Sequence, residues 1–155
     1  MGRYKDSGLG IGAAGSPQGN ISQIDAEVKA EELSKFYSPF DSSKLIYNES
    51  KEKYEGYLLN FDHPIGGAKA KFLKQTLGYS KADSEKLHKE ICKAVNNKIP
   101  YSVDSTLYGI KTKFKVKLNG SNEKYGSANV IVIIQNNYGE STWRIITIIP
   151  GEKEK

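Results

Sequence analysis

Apolar residues follow one period up to Pro100 and another beyond it. In the first stretch they recur at helical spacing. Ala68, Phe72 and Leu73 share a helical face, and Gly78 follows where a left-handed residue would end the helix. Ser80 and Asp83 form a capping-box pattern ahead of Leu87, Ile91 and Val95, a stripe that repeats every four residues until Asn96, Asn97 and Pro100 close it. After Pro100 the period becomes 2. Tyr108, Ile110, Thr112, Phe114, Val116 and Leu118 alternate with Leu107, Gly109, Lys111, Lys113, Lys115 and Lys117, which predicts a strand with one buried and one wet face. Residues 119–126 supply a turn, 128–135 are apolar on both faces like a central strand, and a second turn at 136–140 leads into a strand at 142–149. There is room for a fourth strand at 99–103. The expected fold is α+β, with two or more N-terminal helices packed on an antiparallel sheet of three to five strands.

The region before this domain reads differently. Residues 7–20 are glycine-rich with little to bury, so they read as a linker. Gly8 and Gly10 begin a dinucleotide-like spacing, but no strand precedes it and no helix follows closely. Ser22 and Asp25 open a short helical pattern through Ala26, Ala30 and Leu33 to Phe36, which Pro39 stops. Residues 40–60 mix tyrosines and charges without a clear period, with only a short strand or turn indicated at 44–47. The division is thus 1–56 as a variable linker, delivery or accessory segment with one short helix, 57–150 as the compact domain, and 151–155 as a charged tail expected to fray.

Charge sharpens this division. The 155 residues carry 23 Lys plus Arg against 18 Asp plus Glu. Residues 1–60 hold 7 basic and 9 acidic side chains, and the remainder holds 16 and 9, so the positive field belongs to the second part, at net +7. That asymmetry favours a polyanion as partner, nucleic acid ahead of membrane, because no basic amphipathic helix is evident. No apolar run approaches the ~20 residues that span a bilayer, and no basic stretch with an apolar core follows Met1. Cys92 is the sole cysteine, so neither an internal disulfide nor a multi-cysteine zinc site can form.

The block Asn60-Phe61-Asp62-His63-Pro64-Ile65-Gly66-Gly67-Ala68-Lys69-Ala70-Lys71-Phe72, with Leu77-Gly78, Tyr108-Gly109 and the run from Arg144 to Pro150, resembles an uncharacterised domain found at the C-terminus of secreted bacterial polymorphic toxins, including those of contact-dependent growth inhibition. The resemblance covers about 57–150 and is most specific in the DHPxGGxKAxF block. It implies a toxin domain carried by a larger secreted effector and acting in the target cell's cytoplasm. By analogy of architecture, helices followed by an antiparallel sheet also fit the barnase/EndoU/colicin/RelE group of ribonucleases, which cut RNA without metal. The implied activity is metal-independent cleavage of RNA, with tRNA the expected substrate and no cofactor. The implied partners are that RNA and a cognate, acidic immunity protein, with a host cytoplasmic factor left open.

Such cleavage uses the adjacent 2′-OH as nucleophile and needs groups to move its proton and cations for the phosphorane charge. His63, in a polar turn at a helix entrance, is a catalytic candidate or a cap that uses its ring nitrogen structurally. His88, within an apolar helical stripe, reads as partly buried structure. Lys69 and Lys71 point in different directions on a helix, so one should face the sheet; the resemblance singles out Lys69, a catalytic residue contacting phosphate or else a solvated helix charge, and Lys71 is expected as a substrate contact. Lys111, Lys113, Lys115 and Lys117 would form a row about 20 Å long that could follow several phosphates or simply be a solvated strand face. Tyr108 could stack a base, or be core by its parity with Ile110. Thr147 matches the resembling family's terminal Thr-x-x-Pro, and Arg144 could assist or form a structural salt bridge; strict alternation separates the two onto opposite faces unless a bulge intervenes. Asp62, Asp104, Glu123 and Glu140 are scattered and show no metal-binding spacing. A non-enzymatic nucleic-acid-binding module and a metal-dependent DNase are the alternatives to the ribonuclease.

Overall fold

The computed structural model describes residues 31–151. The glycine-rich lead-in, most of the helix expected at 22–36 and the tail beyond Gly151 lie outside the described residues. The chain divides into a unit of Met1–Ser34, of which residues 31–34 are described and helical, and a unit of Lys35–Lys155 that holds everything below.

In that second unit, helices precede an antiparallel sheet, so the fold is α+β as the change of period predicts. Helix α1 (Tyr47–Lys53) runs directly into a π-helical turn, Tyr54–Leu58. Helix α2 (Gly67–Leu77) ends at Gly78, whose φ of 76° is the left-handed cap that its glycine permits. The capping box of Ser80 and Asp83 forms and leads into α3 (Ser84–Val95). Strands β1 (Ser102–Ser105), β2 (Gly109–Asn119), β3 (Ser127–Asn137) and β4 (Arg144–Pro150) lie side by side in chain order.

The helices cover one sheet face. Phe114, Leu118, Val132, Ile134, Ile145 and Ile148 are buried there with Leu73, Leu77, Leu87, Ile91 and Val95. The buried face of α2 is Gly67, Ala70, Leu73 and Leu77 rather than the stripe through Ala68 and Phe72, a rotation of about one position. The stretch before Tyr57 belongs to this packing. Leu45, Ser50 and Tyr54 are buried, and the Ser50 hydroxyl accepts from the Ile145 backbone N–H at 3.0 Å while donating to the Ile46 carbonyl at 3.0 Å. Helix α1 was hidden from the sequence because its buried residue within the helix is a serine, and its apolar anchors come only in the π turn.

The other sheet face carries the lysines. Residues paired across an antiparallel ladder share a face. Lys111, Lys113, Lys115 and Lys117 pair with Gln135, Ile133, Ile131 and Asn129 on β3. On β4 the register shifts between Ile133 and Ile134, so Thr147 pairs with Ile133 while Ile145 already pairs with Ile134, leaving Ile146 as the extra residue of a β-bulge. Because Arg144 pairs with Gln135, the bulge puts Arg144 and Thr147 on the same face as the lysine row.

Candidate functional site

The most specific part of the sequence folds into a scaffold for a tyrosine. His63 opens α2 with its ring turned back: Nδ1 accepts from the backbone N–H of Ile65 at 3.0 Å and of Gly66 at 2.9 Å, and the His63 carbonyl accepts from Gly67 at 2.9 Å. The ring stands edge-on against Tyr57, with centroids 4.9 Å apart. A Cβ on Gly66 would come within 2.8 Å of the Tyr57 ring and 2.7 Å of its carbonyl oxygen, so glycine is what lets Tyr57 lie across the helix start. The π turn supplies the other side of the arrangement. Extra-wide turns of this kind re-aim side chains and are frequent at functional sites; here the turn buries Tyr54 and leaves Tyr57 half-exposed.

Lys69, in the first turn of α2, completes the site. Its ammonium donates to Tyr57 Oη at 2.9 Å and to Thr147 Oγ1 at 2.8 Å, joining the π turn, the helix and the edge strand β4 across 78 residues of sequence. Lys53 adds a second cation, its Nζ 5.1 Å from the Tyr57 ring centroid. The Lys69 hydrogen bond pulls the Tyr57 hydroxyl below the ordinary tyrosine value; burial, the next largest effect, opposes it, while Thr147 and the charges of Lys69 and Lys53 act in the same direction as the Lys69 hydrogen bond. A phenol so placed gives up its proton more readily than free tyrosine and can then accept one from a substrate hydroxyl.

The candidates taken from sequence meet this arrangement unequally. His63, Lys69 and Thr147 come together. His63, however, has Nδ1 occupied by two backbone donors, so its neutral ring carries the proton on Nε2 and offers substrate a donor rather than a proton acceptor. Arg144 shares the face of Thr147, but its Nη2 is bound by Glu140 at 2.9 Å and Glu49 at 3.3 Å, which ties β4 to α1. Lys71 is exposed on another side of α2. Lys111 and Lys113 are half-buried on the face they share with Thr147, and Lys115 is exposed with its ammonium 4.6 Å from the Tyr101 ring centroid. Tyr108 is 70% exposed, because the turn closed by Thr106 and Gly109 takes it out of the strand alternation it shares with Ile110. Tyr57 itself was missed. The signal available was the pair Gly66-Gly67, which marks a close approach without saying by what.

His88 is structural. It is 8% exposed, with Nδ1 2.7 Å from Tyr54 Oη and Nε2 3.4 Å from Cys92 Sγ. Among the described residues, no three His, Cys, Asp or Glu side chains are grouped so as to hold a metal ion, and no helix is long and apolar enough to cross a membrane.

Comparison with known families settles the kinship. The profile of a domain of unknown function, DUF6883, matches residues 42–152, most of the chain. The chain belongs to the DUF6883 family. The matched span takes in α1, the π turn, the DHPxGG turn and all four strands, so every part of the Tyr57–Lys69–Thr147 cluster is part of the DUF6883 domain. No curated protein and no solved structure matches the chain.

Proposed function

We propose that this DUF6883 domain is a metal-independent ribonuclease acting on RNA, with tRNA the expected substrate. The observation that carries the reading is the placement of the Lys69 ammonium between Tyr57 Oη and Thr147 Oγ1, at the margin of the sheet face that bears Lys111, Lys113 and Lys115. An RNA strand laid on that face meets the lysines through its phosphates. Tyr57, whose phenolate the Lys69 ammonium favours, takes the 2′-OH proton when in that form. The 2′ oxygen bonds to phosphorus as the bond from phosphorus to the 5′ oxygen breaks, and solvent protonates the departing oxygen. Lys69 and Thr147 stand where charge builds on the phosphorane, and such preorganised donors carry much of the rate enhancement in enzymes of this kind. His63 Nε2–H and Lys113 are further donors toward phosphate.

With the resemblance of the DHPxGGxKAxF block, this chemistry reads as that of a toxin domain released by a larger secreted effector in the cytoplasm of a target cell. A producing cell then requires an immunity protein, acidic to complement net +7 over residues 61–155, and a host cytoplasmic factor could assist. Incubation of the purified protein with total tRNA and with plasmid DNA, each with and without EDTA, tests the reading. Loss of intact tRNA in EDTA, with plasmid unharmed, is expected. Binding without cleavage would favour a nucleic-acid-binding module, and plasmid degradation that needs a divalent ion would favour a DNase.

A further inference from the structure

The open edge of β2 has no part in the cluster just described. Strand β1 pairs with residues 110–113 of β2, an 11-residue strand, and among the described residues no strand pairs with β2 beyond Lys113 on that side. A cleft of about 840 Å³ lies there, between this edge, the C-terminal half of α3 and the segment leading into β1. Lys93, Lys98, Lys115 and Lys117 line it with the half-open ring of Tyr101. The Glu90 carboxylate in its wall accepts from the Asn119 backbone N–H at 2.9 Å and so is occupied by the sheet. Lys93 and Lys98 are exposed.

The cleft reaches the sheet face that carries Thr147. Its floor includes Ile131, which pairs with Lys115 on one side and Ile149 on the other. Two residues along β3, Ile133 pairs with Lys113 and Thr147. From strand spacing and rise, Thr147 and Lys117 are roughly 17 Å apart on the same face, a span that an extended single strand crosses in a few nucleotides. A groove lined by ammonium groups with one accessible aromatic ring suits a single strand, in which phosphates meet cations and an unpaired base can stack. A rigid duplex could not turn around the β2 edge.

We propose that this cleft is an anchor site for single-stranded RNA, holding the strand several nucleotides away from the phosphate at Lys69 and Thr147. The proposal rests on the ribonuclease reading for its direction but not for its measurement. The domain would then act preferentially on loops or unpaired ends that extend beyond the cut, and short fragments would be bound poorly although their chemistry is unaltered.

The experiment compares the wild-type protein with Lys93→Glu/Lys98→Glu and with a control of equal charge change, Lys81→Glu/Lys86→Glu, on exposed positions outside the cleft. Binding of a labelled single-stranded RNA of about twelve nucleotides, within the range such grooves occupy, is measured by fluorescence anisotropy across a salt series. The cleft variant should lose at least tenfold in affinity, and its salt slope should fall by about 1 to 1.5, close to 0.7 per lost phosphate contact. The control should lose less than threefold. Cleavage of RNA dinucleotides, too short to reach the cleft, should proceed at the wild-type rate in the cleft variant. Equal losses in both variants would mean a diffuse charge effect, and unchanged binding in the cleft variant would leave the cleft to an acidic protein partner; either result overturns the proposal. A wild-type protein that binds RNA through the cleft without cutting it would instead overturn the ribonuclease reading and leave the anchor standing.

Discussion

Tyr54 and Tyr57 sit three residues apart on one π-helical turn, yet their surroundings drive them in opposite directions. Tyr54 is fully buried and paired with His88, and burial pushes its hydroxyl well above the ordinary value. Tyr57 is half-exposed and paired with Lys69, and that hydrogen bond pulls its hydroxyl down. The histidines divide in a similar way: His88 is locked into the core with Tyr54 and Cys92, whereas His63 braces the surface turn against Tyr57. The same two residue types thus form a buried polar pair on one side of the turn and a half-exposed, cation-bound cluster on the other. What separates them is whether the neighbour is a cation near solvent or an uncharged group within the core.

The largest effect is expected from Lys69→Met. It removes the cation shared by Tyr57 and Thr147 while keeping much of the side chain's length, and we expect RNA cleavage to fall by about 10²- to 10⁴-fold, the usual effect of losing a proton-transfer element, with the far-UV CD spectrum unchanged. Retained activity would show that the cluster is structural. Tyr54→Phe tests the other side. It strips His88 Nδ1 of its buried partner and should cost about 1–3 kcal/mol in urea unfolding, while Tyr57→Phe at its half-exposed position should stay within about 0.5 kcal/mol. The opposite ranking would mean that the core and the site have been exchanged.

Two pH effects sharpen the contrast further. If Tyr57 acts as its phenolate, cleavage should rise with pH through an inflection below 10, the ordinary tyrosine value, and Lys69→Met should move the residual inflection upward because the largest lowering cause is gone. For His88 the sign runs through folding. Burial lowers its folded value beneath the unfolded 6.5, so the stability it contributes is complete above that pH and drains away as pH falls through the folded value. His88→Gln should flatten the loss of stability between about pH 7 and pH 5, a small effect that unfolding midpoints at stepped pH would resolve.

Much of the fold was legible because it rests on periodicity. Leu87, Ile91 and Val95 mark α3, the lysine alternation marks β2, and Gly78 marks the end of α2. Helix α1 was not legible, since Ser50 is buried for its hydrogen bonds to β4 and α1 rather than for hydrophobicity. Of the site, Lys69 and Thr147 were each singled out through the resemblance but their hydrogen bond to each other was not, and the bulge at Ile146 that brings Arg144 to the face of Thr147 could be named only as a condition. Tyr57 was invisible because a tyrosine in a mixed polar stretch carries no pattern. Its role depends on the π turn and on the bare backbone of Gly66, both of which are matters of close approach in three dimensions.

The central claim, that Tyr57 moves the proton in an RNA-cleaving site while Tyr54 only supports the fold, is tested most directly by single-turnover cleavage of tRNA in EDTA by the wild-type, Tyr57→Phe and Tyr54→Phe proteins at a temperature where all three are folded. Fragments ending in a 2′,3′-cyclic phosphate are expected from the wild-type and Tyr54→Phe proteins at similar rates, and a rate at least about 100-fold lower from Tyr57→Phe. Full activity in Tyr57→Phe, or no cleavage by the wild-type protein, would contradict it.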